Sequence, residues 1–297
     1  MLDRTTPSGL HLAHERATGF LLAAQGQDGA WRDFHLPVGM SDGWITALCA
    51  AHLRRFGGAK ARAATTAAAD YLERTSRAGT WGYNAGIPPD ADSTAWAALA
   101  LEGTAVAVDL PFLRAHQRRD GAVATYLAND GWGGAHGCVT ALAARAFDRL
   151  GNCGAAARAR GWLHDAGPSA RAGYWWASPF YPAWAVASAF AGRANAPPLP
   201  PLDTARSILD LACALRIAAL SGQAAPDLTA RLCGLQMADG GFPPSACLRV
   251  TYHWLATPEQ APAGDAGRIY ADSAHILGTC FSLAAIAAQT PLIEARQ

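Results

Sequence analysis

The chain has 297 residues, of which 51% are apolar and 16% charged, and its net charge is +1. That is enough apolar material for one large core, and the charge balance gives no overall field to draw in nucleic acid or an anionic membrane. The opening MLDRTTPSGL has no apolar signal-peptide core, and no uncharged apolar run reaches the ~18 residues that span a bilayer, so a cytoplasmic protein, at most peripheral to a membrane, is expected.

In chain order, one spacing recurs. Leu21, Gln25, Gly29 and Trp31 form its first copy; Tyr71, Thr75, Gly79 and Trp81 repeat it. Leu113, Gln117, Gly121 and Val123 follow, a weaker copy ends at AGYWW (172 to 176), and Leu232, Gln236, Gly240 and Phe242 come last. A helix-like stretch carrying charges precedes each copy, as in RATGFLLAAQ and ARAATTAAADYLER. A second helix, apolar almost all round, follows it, as in WITALCAAHL, TAWAALAL, CVTALAARAF and SAHILGTCFSLAAIAA. A helix apolar on every face is buried on every face, so the second member of each pair belongs inside and the first outside. Such pairs stack, and a stack that closes on itself is an α/α toroid of the (α/α)6 type.

The expected architecture is one all-α toroid domain over residues 1–297, with no competing strand pattern. Six pairs need twelve helices, and eleven helical segments are found. The Pro-rich stretch 194–201 (ANAPPLPP) stands where the fifth outer helix belongs, and a helix over 203–221 is its inner partner. Residues 243–270 form an insertion before the last inner helix, expected to act as a cavity flap. The seven cysteines contain no CxxC pair and read as reduced, buried small hydrophobes.

The inner-helix starts carry the chemistry. Asp42 lies eleven residues after Trp31, and Asp92 eleven after Trp81. DGWITAL aligns with HGCVTAL, which adds His136, and the ADS shared by residues 91–93 and 271–273 adds Asp272. In a closed toroid these four positions ring one end of the central cavity. Each could be an N-cap, because Asp oxygens accept the free N–H groups of a first helical turn. Asp92 differs in having Asp90 beside it. Two close carboxylates repel, and desolvation by Trp44 and Trp96 adds to that, so one should keep its proton near neutral pH and serve as a general acid.

The Q-x3-G-x-W copies resemble the QW motifs of the squalene-hopene cyclase and class II terpene cyclase superfamily, and DADSTA resembles its DxDD-T-A signature at the start of an inner helix. The resemblance implies a protonation-initiated cyclisation of an isoprenoid or isoprenoid-derived hydrophobic substrate. Asp92 would be the proton donor and Asp90 would orient and tune it. Ser93 replaces the family's fourth-position Asp; its hydroxyl can hydrogen-bond Asp92 but adds no negative charge. Aromatic faces stabilise cations, which makes Trp44, Trp96, Tyr252, Trp254 and Tyr270 candidate wall residues beside Asp42 and Asp272. His136 or His275 would accept the final proton.

The chemistry itself requires no metal and no cofactor; Mg2+ would enter only with a diphosphate substrate. Arg249 and Arg268 are the candidates for the cationic clamp such a substrate needs. Hopene cyclases enclose their site between two toroids. This chain must close its cavity with its own insertion, with a second copy in a homodimer, or not at all. Three other readings stay open. Paired carboxylates in an α/α toroid also suit a sugar-cleaving enzyme, which would need a polar, open groove. A zinc prenyltransferase subunit would need converging Asp, Cys and His ligands. A toroid can also bind without chemistry.

Overall fold

The computed structural model describes residues 7–193, 201–262 and 264–296. The chain forms successive outer and inner helices: α1 (Pro7–Ala23) with α2 (Gly43–Phe56), α3 (Arg62–Thr75) with α4 (Ala91–Ala100), and α5 (Leu110–Ala115) with α6 (Gly137–Arg149). Next come α7 (Cys153–Ala166) with α8 (Phe180–Ala189), then α9 (Ile208–Leu220), then α10 (Pro226–Gly234) with α11 (Ile276–Glu294). The six inner helices α2, α4, α6, α8, α9 and α11 pack each on the next, and α11 packs back onto α2, so the ring is closed. The fifth pair shows only a 3-10 turn, Leu202–Thr204, before its inner helix; most of the Pro-rich stretch expected to replace the outer helix lies outside the described residues.

The repeated residues explain how the pairs are joined. The Gln25 amide donates to Gly29 O in its own turn and to Ala64 O on the next outer helix. Gln117 makes the same two bonds to Gly121 O and Ala155 O. Gln236 donates to Gly240 O and to Ala13 O on α1, which seals the last repeat to the first. The glycine of each copy lets backbone meet backbone: a Cβ on Gly29 or Gly121, both at positive φ, would stand 2.2 Å from a carbonyl oxygen of the neighbouring outer helix. The Trp31 and Trp81 indoles donate to Leu21 O and Leu72 O of their own outer helices.

A second repeated device fixes the inner helices. The backbone N–H of the last motif residue donates to a buried threonine hydroxyl in the following inner helix: Trp31 to Thr46, Trp81 to Thr94, Val123 to Thr140 and Phe242 to Thr279. These threonines stand in ITAL, STAW, VTAL and GTCF, a signal present in the sequence that the motif spacing alone does not use.

Three expectations are corrected. Two short antiparallel hairpins break the all-helical pattern: β1 (Asp33–Leu36) with β2 (Gly39–Ser41), and β3 (Ala246–Val250) with β4 (Arg268–Ala271). Their few residues are too short for a strand periodicity to stand out. Helix α11 is, by length and composition, apolar enough to cross a bilayer, although no such run was expected; 78% of that segment is buried inside the fold, where it serves as an inner helix of the ring. Of the seven cysteines, all free, Cys153 is exposed at the start of α7, where an outer helix faces solvent.

Candidate active site

The threonine register shows which carboxylate does what. Four residues before Thr46, Thr94, Thr140 and Thr279 stand Asp42, Asp90, His136 and His275, and these are the N-caps of α2, α4, α6 and α11. The cap of α4 is therefore Asp90, not Asp92. Counting eleven residues from each tryptophan misaligns the two helices because the Trp–Thr separation is 15 residues in the first repeat and 13 in the second. Asp90 accepts from the Ser93 backbone N–H at 2.8 Å and from the Ser93 hydroxyl at 2.7 Å. Ser93 thus supports Asp90, whereas the sequence had paired its hydroxyl with Asp92.

Freed from capping, Asp92 occupies the first turn of α4, two residues before Thr94. The equivalent residues of the flanking inner helices are Trp44 on α2 and Cys138 on α6, and all three line one cavity. Its carboxyl accepts a hydrogen bond from the Trp44 indole N–H at 2.9 Å. Such surface as Asp92 keeps faces the cavity of about 660 Å3. Burial, and then the nearby Asp90 charge, push its pKa up to about 8, with the Trp44 hydrogen bond opposing. Burial also raises Asp90, to about 6, against the stabilising hydrogen bonds from Ser93. Near neutral pH one carboxyl keeps its proton beside one that has lost it.

The walls are aromatic. Trp44 stacks on Tyr83 at 6.2 Å and contacts Trp176 at 6.3 Å. Trp176 in turn stacks on the buried Tyr181 at 3.6 Å. Tyr126, Trp132 and Trp175 form a second aromatic group along the wall. The turn of the β1–β2 hairpin adds Leu36, Pro37 and Val38, and the flap hairpin adds Leu248, Val250, Tyr252 and Tyr270. The flap is tied to the ring: Arg249 N donates to Trp175 O, and Ala177 N to Cys247 O.

Of the sequence candidates, Asp90, Asp92, Ser93, Trp44, Arg249, Tyr252, Arg268 and Tyr270 belong to the lining of this cavity. The others stand apart. Trp96, fully buried one turn below Asp92, stacks on Trp184 at 6.2 Å. The Asp42 carboxylate accepts from Gly43 N and meets the Tyr71 hydroxyl of outer helix α3. Asp272 is not the N-cap residue of α11, which is His275; buried ahead of the helix, its carboxyl accepts from Ser245 N and from Gly278 N in the first turn of α11, and burial raises its pKa to about 7. His275 sits at φ +64° with its ring bonded to Phe242 O. Trp254 is 68% exposed and stacks on Tyr252.

His136 lies one residue back from the cavity. Its Nε2 meets the Gly131 carbonyl, an acceptor only, so Nε2 carries the hydrogen and Nδ1 accepts from the Thr125 hydroxyl. Burial lowers its pKa to about 4, which keeps it neutral. Thr125 itself lines the cavity and accepts from the Trp175 indole.

Sequence reasoning missed Asp33. Fully buried on β1, it accepts from the backbone N–H groups of Phe34, Ala274, Ile276 and Leu277, and so satisfies the start of α11 from across the ring seam. No sequence signal marks it, because its partners lie some 240 residues away. Among the described residues, no three His, Cys, Asp or Glu side chains converge as metal ligands, so the zinc prenyltransferase reading finds no ligand set there.

In sequence, no family model matches the chain, and no curated protein does. In structure, type II terpene cyclase MstE from Scytonema superposes with a TM-score of 0.84 at 25% identity, over 97% of this chain and 99% of that one. A protein from Actinoplanes gives 0.77 at 26% identity, over 94% and 99%. A variant of MstE in complex with geranylgeranyl dihydroxybenzoate, its substrate, gives 0.80 at 24% identity, over 98% and 100%. ent-Copalyl diphosphate synthase from Streptomyces platensis gives 0.58 at 20% identity, over 83% of this chain but half of that one.

Proposed function

We propose that this chain, which has the toroid fold of the type II terpene cyclases, is itself a class II cyclase that starts ring closure with the proton of Asp92. A protonated carboxyl at the edge of an aromatic cavity carries this reading. The substrate is an isoprenoid chain whose terminal alkene or epoxide reaches Asp92. The π bond of the alkene, or the oxygen of the epoxide as its C–O bond opens, takes the proton, and the positive centre then moves along the chain as rings close. Tryptophan and tyrosine faces stabilise that centre, and the apolar wall keeps out water that would quench it. Asp90, carrying the charge, holds the neighbouring proton in place until an alkene arrives. Loss of a proton ends the reaction, and Thr125 on the wall, hydrogen-bonded to His136 behind it, is the candidate to take it.

The sugar-cleaving alternative needs a polar groove, and the wall here is dominated by aromatic and aliphatic side chains. In this reading the chain's own flap roofs the cavity, so a second copy is not required. Val38, Leu127, Tyr252 and Trp254 are exposed apolar side chains on or beside the cavity-lining loops, and they suit delivery of a lipid-like substrate at a membrane surface. The test is to incubate wild type and Asp92→Asn with geranylgeranyl dihydroxybenzoate, squalene and geranylgeranyl diphosphate. Ring-closed products from wild type alone are expected. Products from both proteins, or from neither, would refute the assignment.

A further inference from the structure

A charged cluster lies in the bore of the ring, at the end away from Asp92. Arg55 on α2, Arg145 on α6 and Arg216 on α9 stand in the second half of their inner helices. Arg216 packs over Trp184 at 4.2 Å and over Phe56 at 5.7 Å. Arg145 meets Trp184 at 5.7 Å, and Arg55 meets Phe56 at 5.4 Å. Two guanidinium groups thus share the Trp184 ring and two share the Phe56 ring, which makes the three groups neighbours.

Among the described residues, none of the three takes part in an ion pair. Carboxylates at this end are engaged elsewhere, Glu102 by Arg149 and Asp148 by Arg160 and Arg193. The polar partners that the cluster does have are neutral. Arg145 donates to Ser188 Oγ at 3.4 Å, and Arg216 to His52 Nε2 at 2.8 Å. His52 Nδ1 meets Leu48 O, an acceptor only, so Nδ1 carries the hydrogen and Nε2 accepts. Burial, and then Arg216, keep that ring neutral. An arginine near a helix end usually serves the terminal carbonyls, as Arg54 does at Ala100 O, but Arg145 and Arg216 bond a hydroxyl and an imidazole instead. Burial lowers the pKa of Arg145 to about 10 and of Arg216 to about 9, and Arg55 repels both; at those values both stay charged at neutral pH. Desolvated charges of one sign, gathered without a counter-charge, are costly to hold.

We infer that this end of the bore binds a phosphate group, held between Arg55, Arg145 and Arg216. The site is separate from the cavity and does not depend on the chemistry at Asp92. A phosphate group carries about −1.5 to −2 charge at neutral pH and three strong acceptor oxygens, so one group can face three guanidinium forks at once. A planar carboxylate faces one fork and leaves the other charges uncompensated. Arg145 and Arg216 are half-buried and Arg55 is exposed, so the deeper pair keeps surface at a mouth that Arg55 rims. A free phosphate ion and a phospholipid head share this chemistry. The distribution of exposed apolar side chains favours the free ion: Val38, Leu127, Tyr252 and Trp254 gather at the cavity end, against Leu220 at the end of α9. Lipid-surface binding needs apolar side chains beside the basic ones.

Thermal unfolding followed by circular dichroism reads the site, because a ligand that binds only the folded chain stabilises it. The probe is inorganic phosphate at low millimolar concentration, against sodium chloride of equal ionic strength. The melting temperature of wild type should rise by about 5 °C and saturate with phosphate. Arg145→Met should weaken phosphate binding about 10-fold or more, as expected for loss of a charged hydrogen-bonding group. Arg55→Gln, at an exposed position, should weaken it several-fold and carries the test if Arg145→Met does not fold. Arg268→Gln, at the cavity end, should keep the wild-type response. A second arm uses phosphatidylcholine vesicles with and without phosphatidic acid. Binding to the acidic vesicles alone, weakened by Arg55→Gln, would support the site and assign its phosphate to a lipid head. The inference is overturned if phosphate does no more than chloride and neither vesicle is bound through Arg55. A rise that Arg55→Gln and Arg145→Met leave unchanged would also overturn it, as would a rise lost in Arg268→Gln, which would move the anion to the flap. None of these outcomes turns on whether the chain forms rings, so the site and the cyclase reading stand or fall separately.

Discussion

Asp92 is held in the state that its proposed chemistry needs at a cost to stability. A free aspartate has a pKa of 3.8, and here burial and Asp90 raise it to about 8. Between those values the folded chain keeps a proton that the unfolded chain releases. This group's contribution is therefore complete below pH 3.8 and is lost as pH rises through about 8. Asp92→Asn should accordingly raise the melting temperature at pH 8 and leave it nearly unchanged at pH 4, measured by circular dichroism, while it abolishes ring formation. Cyclisation by wild type should fall along an alkaline limb near pH 8, because only the protonated carboxyl can donate. Trp44→Phe removes the hydrogen bond that favours the carboxylate, so it should move that limb to higher pH. A limb that stays in place would separate Trp44 from the acid's titration.

At the scale of the element, the helix pair depends on a few polar stitches. Gln25 ties its turn to the next outer helix through two hydrogen bonds, and Gln25→Ala should cost about 1–3 kcal/mol in urea unfolding. Gly29 has φ +89°, and an added Cβ would stand 2.2 Å from Ala67 O. Gly29→Ala should therefore cost at least about 2 kcal/mol. The pairs themselves were legible in the sequence: charges mark the outer helices, unbroken apolar runs the inner ones, and the Gln–Gly–aromatic spacing the turns. The registers at the inner-helix starts were not, because loop length varies between motif and helix. That variation made Asp92 look like a cap and hid the cap made by Asp90. The hairpins were missed for a related reason, since their pairing partners are set by where the ring holds the loops and not by local periodicity.

At the scale of the molecule, closure is a separate event from stacking. Gln236 and Asp33 both act across the seam, the first binding α1 from the last repeat and the second capping α11 from the first. Asp33→Ala would leave several buried N–H groups unpaired at the start of α11. It should destabilise the fold by about 3 kcal/mol and lower the urea denaturation midpoint more than Gln25→Ala does. An equal or smaller effect would show that the seam carries no special share of stability.

What the sequence determined by itself follows from composition and period. Apolar runs demand burial, so their alternation with charged helices dictates a stack, and the repeat count brings the stack close to a ring. The adjacent carboxylates at one inner helix also stood in plain view. Tertiary structure alone decided which carboxylate is freed from capping and which aromatics wall the cavity. Each of those depends on contacts between distant segments, such as Trp44 with Asp92, 48 residues apart, that exist only once the ring has closed. Desolvation, which sets the proton on Asp92, belongs to that enclosed space and to no stretch of sequence.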